Sequence, residues 1–199
     1  VQGFLKEPFS AKTLGADMIS VSGHKVHAPK GIGALYIRQG VKLPAHILGG
    51  GQEEGMRSGT EPMPQIAAFG EAVRIAKAEM PEANKRMEAL RAQCVQTLAD
   101  TVPDIVFLGG GSAHILSLSL PSYRSEVLMN YLEAKGIYVS KSSACKRGKR
   151  SHVLEAIGAP DKVIDGALRV SFSRYTTAEE CAYFCEALAA ARKELYPSL

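Results

Sequence analysis

The segment Ser22-Gly-His-Lys-Val-His-Ala-Pro-Lys-Gly31 carries much of the structural information in this chain. It follows Asp17-Met-Ile-Ser-Val-Ser22, a short apolar run that predicts a buried strand. Glycine and proline residues then interrupt the apolar pattern. Lys25 is therefore predicted to lie at the end of a strand and not on a solvated helix face.

A lysine in this position suggests covalent chemistry. A lysine with a buried stem is more often neutral, and a neutral amine can form an imine with an aldehyde. Pyridoxal phosphate (PLP) is an aldehyde cofactor that proteins hold in this way. Ser22 and His24 flank Lys25 and could hydrogen-bond a phosphate. The alternative is a lysine that extends to solvent from a loop, and the local pattern alone favours this alternative.

Composition limits the classes of protein to consider. The chain has 199 residues, of which 46% are hydrophobic and 22% charged, as in ordinary globular proteins of one or two domains. A net charge of +4 is too small to argue for nucleic acid. No run approaches the roughly 18 apolar residues of a membrane span, and the first residues do not resemble a signal peptide. We expect no membrane association.

The cysteines predict a reducing compartment. Cys94, Cys145, Cys181 and Cys185 show neither a disulfide framework nor the spacing of a zinc site, and the histidines add no metal-like spacing. A cytoplasmic location follows from this usage. Cys94, Cys181 and Cys185 are predicted to be small buried residues of helices.

Apolar periodicity predicts an α/β chain in two parts, 1–80 and 81–199. The first part contains an antiparallel strand pair and a glycine-rich loop, followed by a connecting helix that Pro81 should kink or restart. The elements expected in the first part are strands at 17–22, 33–38 and 45–48. The second part is expected to have strands at 105–108, 115–120, 137–140 and 168–173, and helices at 125–135, 151–157 and from 177, where Thr177 and Glu180 form a capping box.

Two residues of the second part suggest chemistry. Cys145 lies in a polar loop, 141–150, whose four cationic side chains after the cysteine favour the thiolate. The alternative is an incidental loop thiol. Arg169 alternates with Leu168 and Val170, and its planar fork suits a carboxylate. The alternative is a surface arginine.

Two further segments each allow two interpretations from the sequence alone. Gly55-Met-Arg-Ser-Gly-Thr60 could present backbone N–H groups and the Thr60 hydroxyl to a phosphate, or it could simply be a turn. The basic run 146–150 is interpreted mainly as a solvated loop. It could also dock an acidic partner.

Four stretches together resemble the cysteine desulfurases, the NifS/IscS-like branch of the class V aminotransferase family. They occur in the family's order and spacing, and the resemblance runs from Val1 to about the last helix. The resemblance implies an α/β protein with the PLP-dependent transferase fold type I. Residues 1–80 would end the large PLP-binding domain, and 81–199 would form the small α+β domain with the cysteine loop. The stretches are Ser22–Gly31, Gly49–Thr60, Ser142–Cys145 and Ala167–Ser173.

The resemblance also implies roles for individual residues. Lys25 would hold PLP and move protons. Arg169 would bind the carboxylate of L-cysteine, and Cys145 would take its sulfur as a persulfide, leaving L-alanine. Thr60 would reach the cofactor phosphate of a neighbouring subunit in a homodimer, and Gln2 would bond the phenolic oxygen of the cofactor.

Some features of the family are not found in this sequence. The aspartate that pairs with the pyridinium nitrogen would precede Val1 by two residues, and the ring-stacking histidine lies further upstream. We therefore expect a C-terminal half with an incomplete site, whose partner is the missing N-terminal half of the same protein. Ser142 stands where the family commonly has glycine.

Several functions stay open within this resemblance. The sulfur acceptor could be a scaffold protein for iron–sulfur cluster assembly or an enzyme of tRNA thiolation. Alternatives are another class V enzyme, such as a transaminase or selenocysteine lyase, or a non-catalytic fragment that acts only in folding and interaction.

Overall fold

The computed structural model describes residues 1–141 and 151–197. The chain divides into two compact units, Val1–Pro81 and Glu82–Leu199. Each unit has a hydrophobic core of its own. Within the described ranges, no helix combines the length and apolar character needed to cross a bilayer.

The first unit is built on a two-stranded antiparallel sheet. Pairing runs from Met18 opposite Ile37 to Ser22 opposite Gly33. A Cβ at Gly33 would lie 2.5 Å from the carbonyl oxygen of Val21, so glycine allows the strands to approach here. The predicted strand pair is thus confirmed. The elements are α1 (Ala11–Leu14), β1 (Met18–Ser22), a 3-10 helix (Gly23–Val26), β2 (Gly33–Ile37) and a second 3-10 helix (Glu53–Gly55).

The prediction that the first strand is buried is wrong for the described chain. Met18 and Ser20 of β1 are exposed, and β2 is exposed at four of its five residues. The core of this unit centres on Val26, Ala28 and Phe69 and is too small to cover both faces of the sheet. An apolar run indicates a tendency to be buried, but it does not specify what covers it.

A single helix, α2, spans Met63–Thr101. The predicted restart at Pro81 is wrong, because the helix continues through this residue. Proline in a helix interior costs about 3 kcal/mol. Apolar residues on either side of it are buried, including Phe69 before and Leu90 and Leu98 after. Each such burial contributes about 1.5–3 kcal/mol, so packing outweighs the cost of the proline.

The second unit is a three-stranded antiparallel sheet covered by helices, in the order β3-β4-β5. Fully buried leucines from the sheet and from three helices form its core, among them Leu98, Leu118, Leu132 and Leu188. The elements after α2 are β3 (Val106–Leu108), β4 (Ile115–Ser119), α3 (Ser125–Glu133), α4 (His152–Ala156), α5 (Asp161–Asp165), β5 (Ala167–Ser171) and α6 (Ala178–Glu194).

The start of α6 confirms the predicted capping box. The backbone N–H of Glu180 donates to Oγ1 of Thr177 over 3.2 Å, and the backbone N–H of Thr177 donates to the Glu180 carboxylate over 2.9 Å. Two backbone donors at the helix start, which lack partners within the helix, are thereby satisfied.

The strand predicted at 45–48 does not form, and in the strand predicted at 137–140 only Ser140 pairs with the sheet. The physical reason is the same in both segments. In 45–48, the carbonyls of Ile47 and Leu48 accept from the side chain of Ser58, over 3.2 and 3.0 Å. In 137–140, the N–H of Ile137 donates to the carbonyl of Leu132 and so closes the end of α3. These backbone groups are used locally and are not available to a strand ladder.

Candidate active site

Lys25 lies in a tight turn that packing fixes in place. It belongs to the 3-10 helix that directly follows β1, as the sequence predicts. A Cβ at Gly23 would lie 2.8 Å from Cγ2 of Ile32, so only glycine fits at this point without displacing its neighbour. Val26 is 2% exposed and anchors the other side of the turn in the core. The half-buried Lys25 is therefore held between two constrained positions.

Ser22 and His24 lie together beside Lys25. Oγ of Ser22 and Nδ1 of His24 are 2.9 Å apart and share a hydrogen bond. When the Ser22 hydroxyl donates, the ring carries its proton on Nε2, which then becomes a donor. His24 is exposed. This pair could offer an oriented N–H donor to an anion near Lys25.

Lys6 is a second amine near Lys25, and no pattern in the sequence indicates this proximity. The pKa of Lys6 is lowered from its ordinary value, first because the side chain is partly buried and second because the positive charge of Lys25 is close. Lys6 and Lys25 are nineteen positions apart in sequence, and the chain between them runs through α1 and β1. The site thus has two neighbouring cationic side chains, an arrangement that favours an anionic ligand.

Gln2 lies in the turn that leads to Lys6. The N–H of Lys6 donates to the carbonyl of Gly3 over 3.0 Å, which closes this turn. The Gln2 side chain is exposed. Its predicted role at the cofactor stays a prediction.

The loop before Thr60 is held by its own side chains. Ser58 is 8% exposed and its hydroxyl donates to two carbonyls of the same loop. The N–H of Gly59 donates to Oε1 of Gln52 over 3.2 Å. Gly59 has a φ of 115°, a conformation that favours glycine. The exposed Thr60 therefore follows an ordered turn, and its predicted phosphate contact stays a prediction.

Arg169 projects from the middle of β5 in the second unit. Its neighbours Leu168 and Val170 are buried, as the alternation predicts. The Nε of Arg169 is buried and has no hydrogen-bond partner in the part of the chain that the structure describes. A buried donor without an acceptor is costly, and a carboxylate would satisfy it. Arg169 thus fits an anionic ligand better than it fits a surface position.

The chain enters the cysteine loop next to Arg169. Ser140 forms an isolated antiparallel bridge with Arg169. Lys141 then pairs with the carboxylate of Glu126 at the start of α3, and this contact lowers the pKa of Glu126. Cys145 and the basic run 146–150 lie outside the described residues.

The structure therefore brings some of the predicted residues together. Ser22, His24 and Lys25 form one group in the first unit, with Thr60 and Gln2 elsewhere in the same unit, and Arg169 belongs to the second unit. In residues 1–141 and 151–197, no group of three or more histidine, cysteine or acidic side chains could hold a metal ion. Cys94, Cys181 and Cys185 are buried and unbonded to one another by disulfides, as predicted.

Comparison with known proteins decides the family. The family described as aminotransferase class-V matches residues 1–184. The chain belongs to the class V aminotransferases. Among its relatives is cysteine desulfurase 2 of Trichormus variabilis, 40% identical over 185 residues, which cover 90% of this chain and 46% of that protein. The cysteine desulfurase IscS of Tolumonas auensis is 46% identical over 175 residues, covering 84% of this chain and 42% of that protein.

The structural comparison agrees. A solved NifS-like protein superposes on this class V chain with a TM-score of 0.88 at 39% identity, covering 98% of this chain and 51% of the other. The predicted NifS/IscS-like resemblance and the PLP-dependent transferase fold are thereby confirmed. The chain spans about half the length of the curated relatives it matches.

The class V family implies PLP, and the residues present fit part of this group. Lys25 would supply the amine, and the Ser22–His24 pair would supply polar contacts for a phosphate. The positive charges of Lys6 and Lys25 would attract the phosphate. Gly23 leaves the turn compact, since a Cβ would collide with Ile32.

Proposed function

We propose that this protein is a PLP-dependent cysteine desulfurase that converts L-cysteine to L-alanine and transfers the sulfur to Cys145. The observation that carries the proposal is the constrained turn that presents Lys25 beside the Ser22–His24 pair. The named relatives, which are cysteine desulfurases, support the same activity. When bound, PLP supplies an aldehyde for the lysine and an electron-withdrawing ring.

Lys25 has two tasks in this proposal. Its amine would hold the cofactor, and its Nζ, when free, would accept and return protons of the substrate. Ser22 and His24 hold the phosphate end in position.

Arg169 orients the substrate. Its guanidinium binds the α-carboxylate of L-cysteine through two parallel N–H donors, and the buried Nε gains an acceptor. The bidentate contact fixes the direction in which the thiol of the substrate points. This is the role that the family resemblance implies for Arg169.

Cys145 takes the sulfur. Its thiolate attacks the substrate sulfur, an S–S bond forms, and the C–S bond breaks. The electron pair of the broken bond stays with the carbon, which takes up a proton and becomes the methyl group of alanine. The enzyme is left with a persulfide, so L-cysteine and one thiol give L-alanine and one persulfide. The persulfide then passes its outer sulfur to an acceptor, either an iron–sulfur scaffold or a tRNA-thiolation enzyme.

We further propose that a homodimer completes the site, with Thr60 reaching the phosphate held by the neighbouring subunit and Gln2 contacting the phenolic oxygen. The N-terminal half of the same protein would supply the remaining cofactor contacts. The cytoplasmic location stays a prediction from cysteine usage.

The proposal is tested by trapping the cofactor on its lysine. The protein is incubated with PLP, reduced with borohydride, digested and analysed by mass spectrometry. We expect the phosphopyridoxyl group on Lys25, its loss in Lys25→Arg, and its retention in Lys30→Arg, a control in the same segment. Labelling spread over surface lysines, with Lys25 no richer than the others, would contradict the proposal.

A further inference from the structure

A pocket in the second unit has sulfur on its wall. It has a volume of about 290 Å³ and lies between residues 136–139, the end of β5 and the start of α6. Aromatic and thiol side chains line it, among them Tyr138, Phe172, Tyr183, Phe184, Cys94 and Cys181. Tyr138 is 78% exposed and Tyr183 is 49% exposed, so the pocket opens to solvent at these residues.

The thiols of Cys94, Cys181 and Cys185 lie close together at this side of the pocket. Cys181 and Cys185 are one turn apart on α6 and therefore share a face of that helix. The Cys94 thiol lies within hydrogen-bonding reach of both. The Cys185 thiol also donates to the carbonyl of Cys94 over 3.9 Å. All three side chains are at most 4% exposed.

The three thiols favour oxidation over metal binding. In the described part of the chain no set of three donors suits a metal ion. Two thiols in contact can instead be joined by oxidation. Of the three, Cys94 and Cys181 line the pocket, so a small oxidant that enters it meets this pair first.

We propose that Cys94 and Cys181 are a disulfide-forming pair, oxidised by a small apolar hydroperoxide that enters the aromatic pocket. The thiolate of one cysteine attacks the terminal oxygen of the hydroperoxide, the O–O bond breaks, and a sulfenic acid and an alcohol result. The second thiol displaces water from the sulfenic acid. Two thiols and one hydroperoxide thus give one disulfide, one alcohol and one water. The bond would tie α2 to α6 across the core of the second unit.

Burial controls how readily the pair reacts. Burial, Cys94 and the charge of Glu180 raise the pKa of Cys181 to about 12, and the hydrogen bond with Cys185 together with burial raises the pKa of Cys94. The thiolate is the reactive form, so the pair stays reduced under mild conditions and reacts faster in alkaline solution. The aromatic walls offset this slowness by favouring an apolar oxidant over water.

The test uses the full chain with Cys145→Ser, which removes the fourth thiol. The protein is treated with cumene hydroperoxide at about pH 9, where buried thiols ionise more readily than at neutrality. Free thiols are counted after unfolding and the disulfide is mapped by mass spectrometry. Trypsin leaves Cys181 and Cys185 on one peptide, 175–192, so chymotrypsin is added to cleave at Tyr183 and Phe184, which separate them.

We expect a disulfide between the peptides of Cys94 and Cys181 and a loss of two free thiols. Cys185→Ala should keep this bond, whereas Cys181→Ala should lose it. Circular dichroism checks that each variant is folded, and the chymotryptic map of the parent protein gives the pairing without either variant. A bond between Cys94 and Cys185, or oxidation that leaves Cys94 and Cys181 unlinked, would overturn the proposal.

Discussion

The backbones of Ser140 and Arg169 exchange two hydrogen bonds. The N–H of Arg169 donates to the carbonyl of Ser140 over 2.5 Å, and the N–H of Ser140 donates to the carbonyl of Arg169 over 3.2 Å. This bridge fixes the chain next to Arg169 five positions before Cys145. In the proposed reaction, the segment that carries the nucleophile Cys145 therefore begins next to the arginine that would bind the substrate carboxylate.

Replacing Arg169 with lysine should weaken substrate binding. A lysine keeps the charge but cannot make two parallel hydrogen bonds to a carboxylate. Charge-assisted hydrogen bonds contribute about 1.5–3 kcal/mol, so KM for L-cysteine should rise roughly 10- to 100-fold. Steady-state alanine formation measures this change. Arg38→Lys, an exposed residue paired with Asp17, is the control and should leave KM unchanged. If the KM of Arg169→Lys were within twofold of the parent value, Arg169 would not bind the substrate carboxylate.

The Ser22–His24 pair should matter for cofactor binding. Ser22→Ala removes the hydroxyl that bonds Nδ1 of His24, so the ring is no longer oriented. A hydrogen bond is worth about 0.5–1.5 kcal/mol, and we expect the affinity for PLP to fall roughly 3- to 10-fold. The absorbance of protein titrated with PLP gives the affinity. Ser20→Ala, on the same strand and exposed, should bind PLP like the parent. If Ser22→Ala and Ser20→Ala bound PLP with equal affinity, the Ser22–His24 pair would not contribute to cofactor binding.

Two glycine-to-alanine changes should have opposite effects on stability. At Gly23, the new Cβ meets Ile32, and overpacking of this kind costs about 1–3 kcal/mol. At Gly70, inside α2, a Cβ finds open space, and alanine should stabilise the helix by about 0.5–1 kcal/mol. Urea unfolding measures both. The turn around Lys25 would not be fixed by packing if Gly23→Ala were as stable as Gly70→Ala.

Lys6 should make stability depend on alkaline pH. Its pKa is lower in the folded chain than the ordinary 10.5, so the unfolded chain binds more protons between these two values. Stability should therefore rise with pH across that window. Lys6→Met should flatten the rise, and Lys25→Met should reduce it, because the Lys25 charge is one cause of the lowered pKa.

Unfolding free energies measured from neutral pH to about 10.5 test this effect. Lys12→Met, which changes an exposed lysine of α1, is the matched control and should keep the profile of the parent protein. If the stability of Lys6→Met rose with pH as steeply as that of the parent, folding would not lower the pKa of Lys6, and this prediction would be wrong.

Local signals in the sequence predicted much of this structure. The antiparallel pairing of β1 and β2, the Thr177–Glu180 capping box and the burial of the three helical cysteines all depend on residues close in sequence or on simple periodicity. The position of Lys25 follows from glycine and proline breaking an apolar run. These features need no knowledge of how distant segments meet.

The remaining features depend on partners that are distant in sequence. The approach of Lys6 to Lys25 follows from the path of the chain, and no pattern encodes it. Ser58 takes the carbonyls that a strand at 45–48 would need, although it lies about ten positions away. The exposure of β1 depends on which residues cover it, and the passage of α2 through Pro81 depends on packing at both ends of the helix.

The central claim is that Lys25 and Cys145 act on one amino-acid substrate. The most direct measurement supplies the PLP-loaded protein with sulfur-labelled L-cysteine for a single turnover and locates the label by digestion, with Cys145 on the short tryptic peptide 142–146. The account predicts one labelled sulfur on that peptide for each alanine formed, and neither product in Lys25→Ala. Alanine formed without label on Cys145, or label on Cys94, Cys181 or Cys185 in its place, would contradict it.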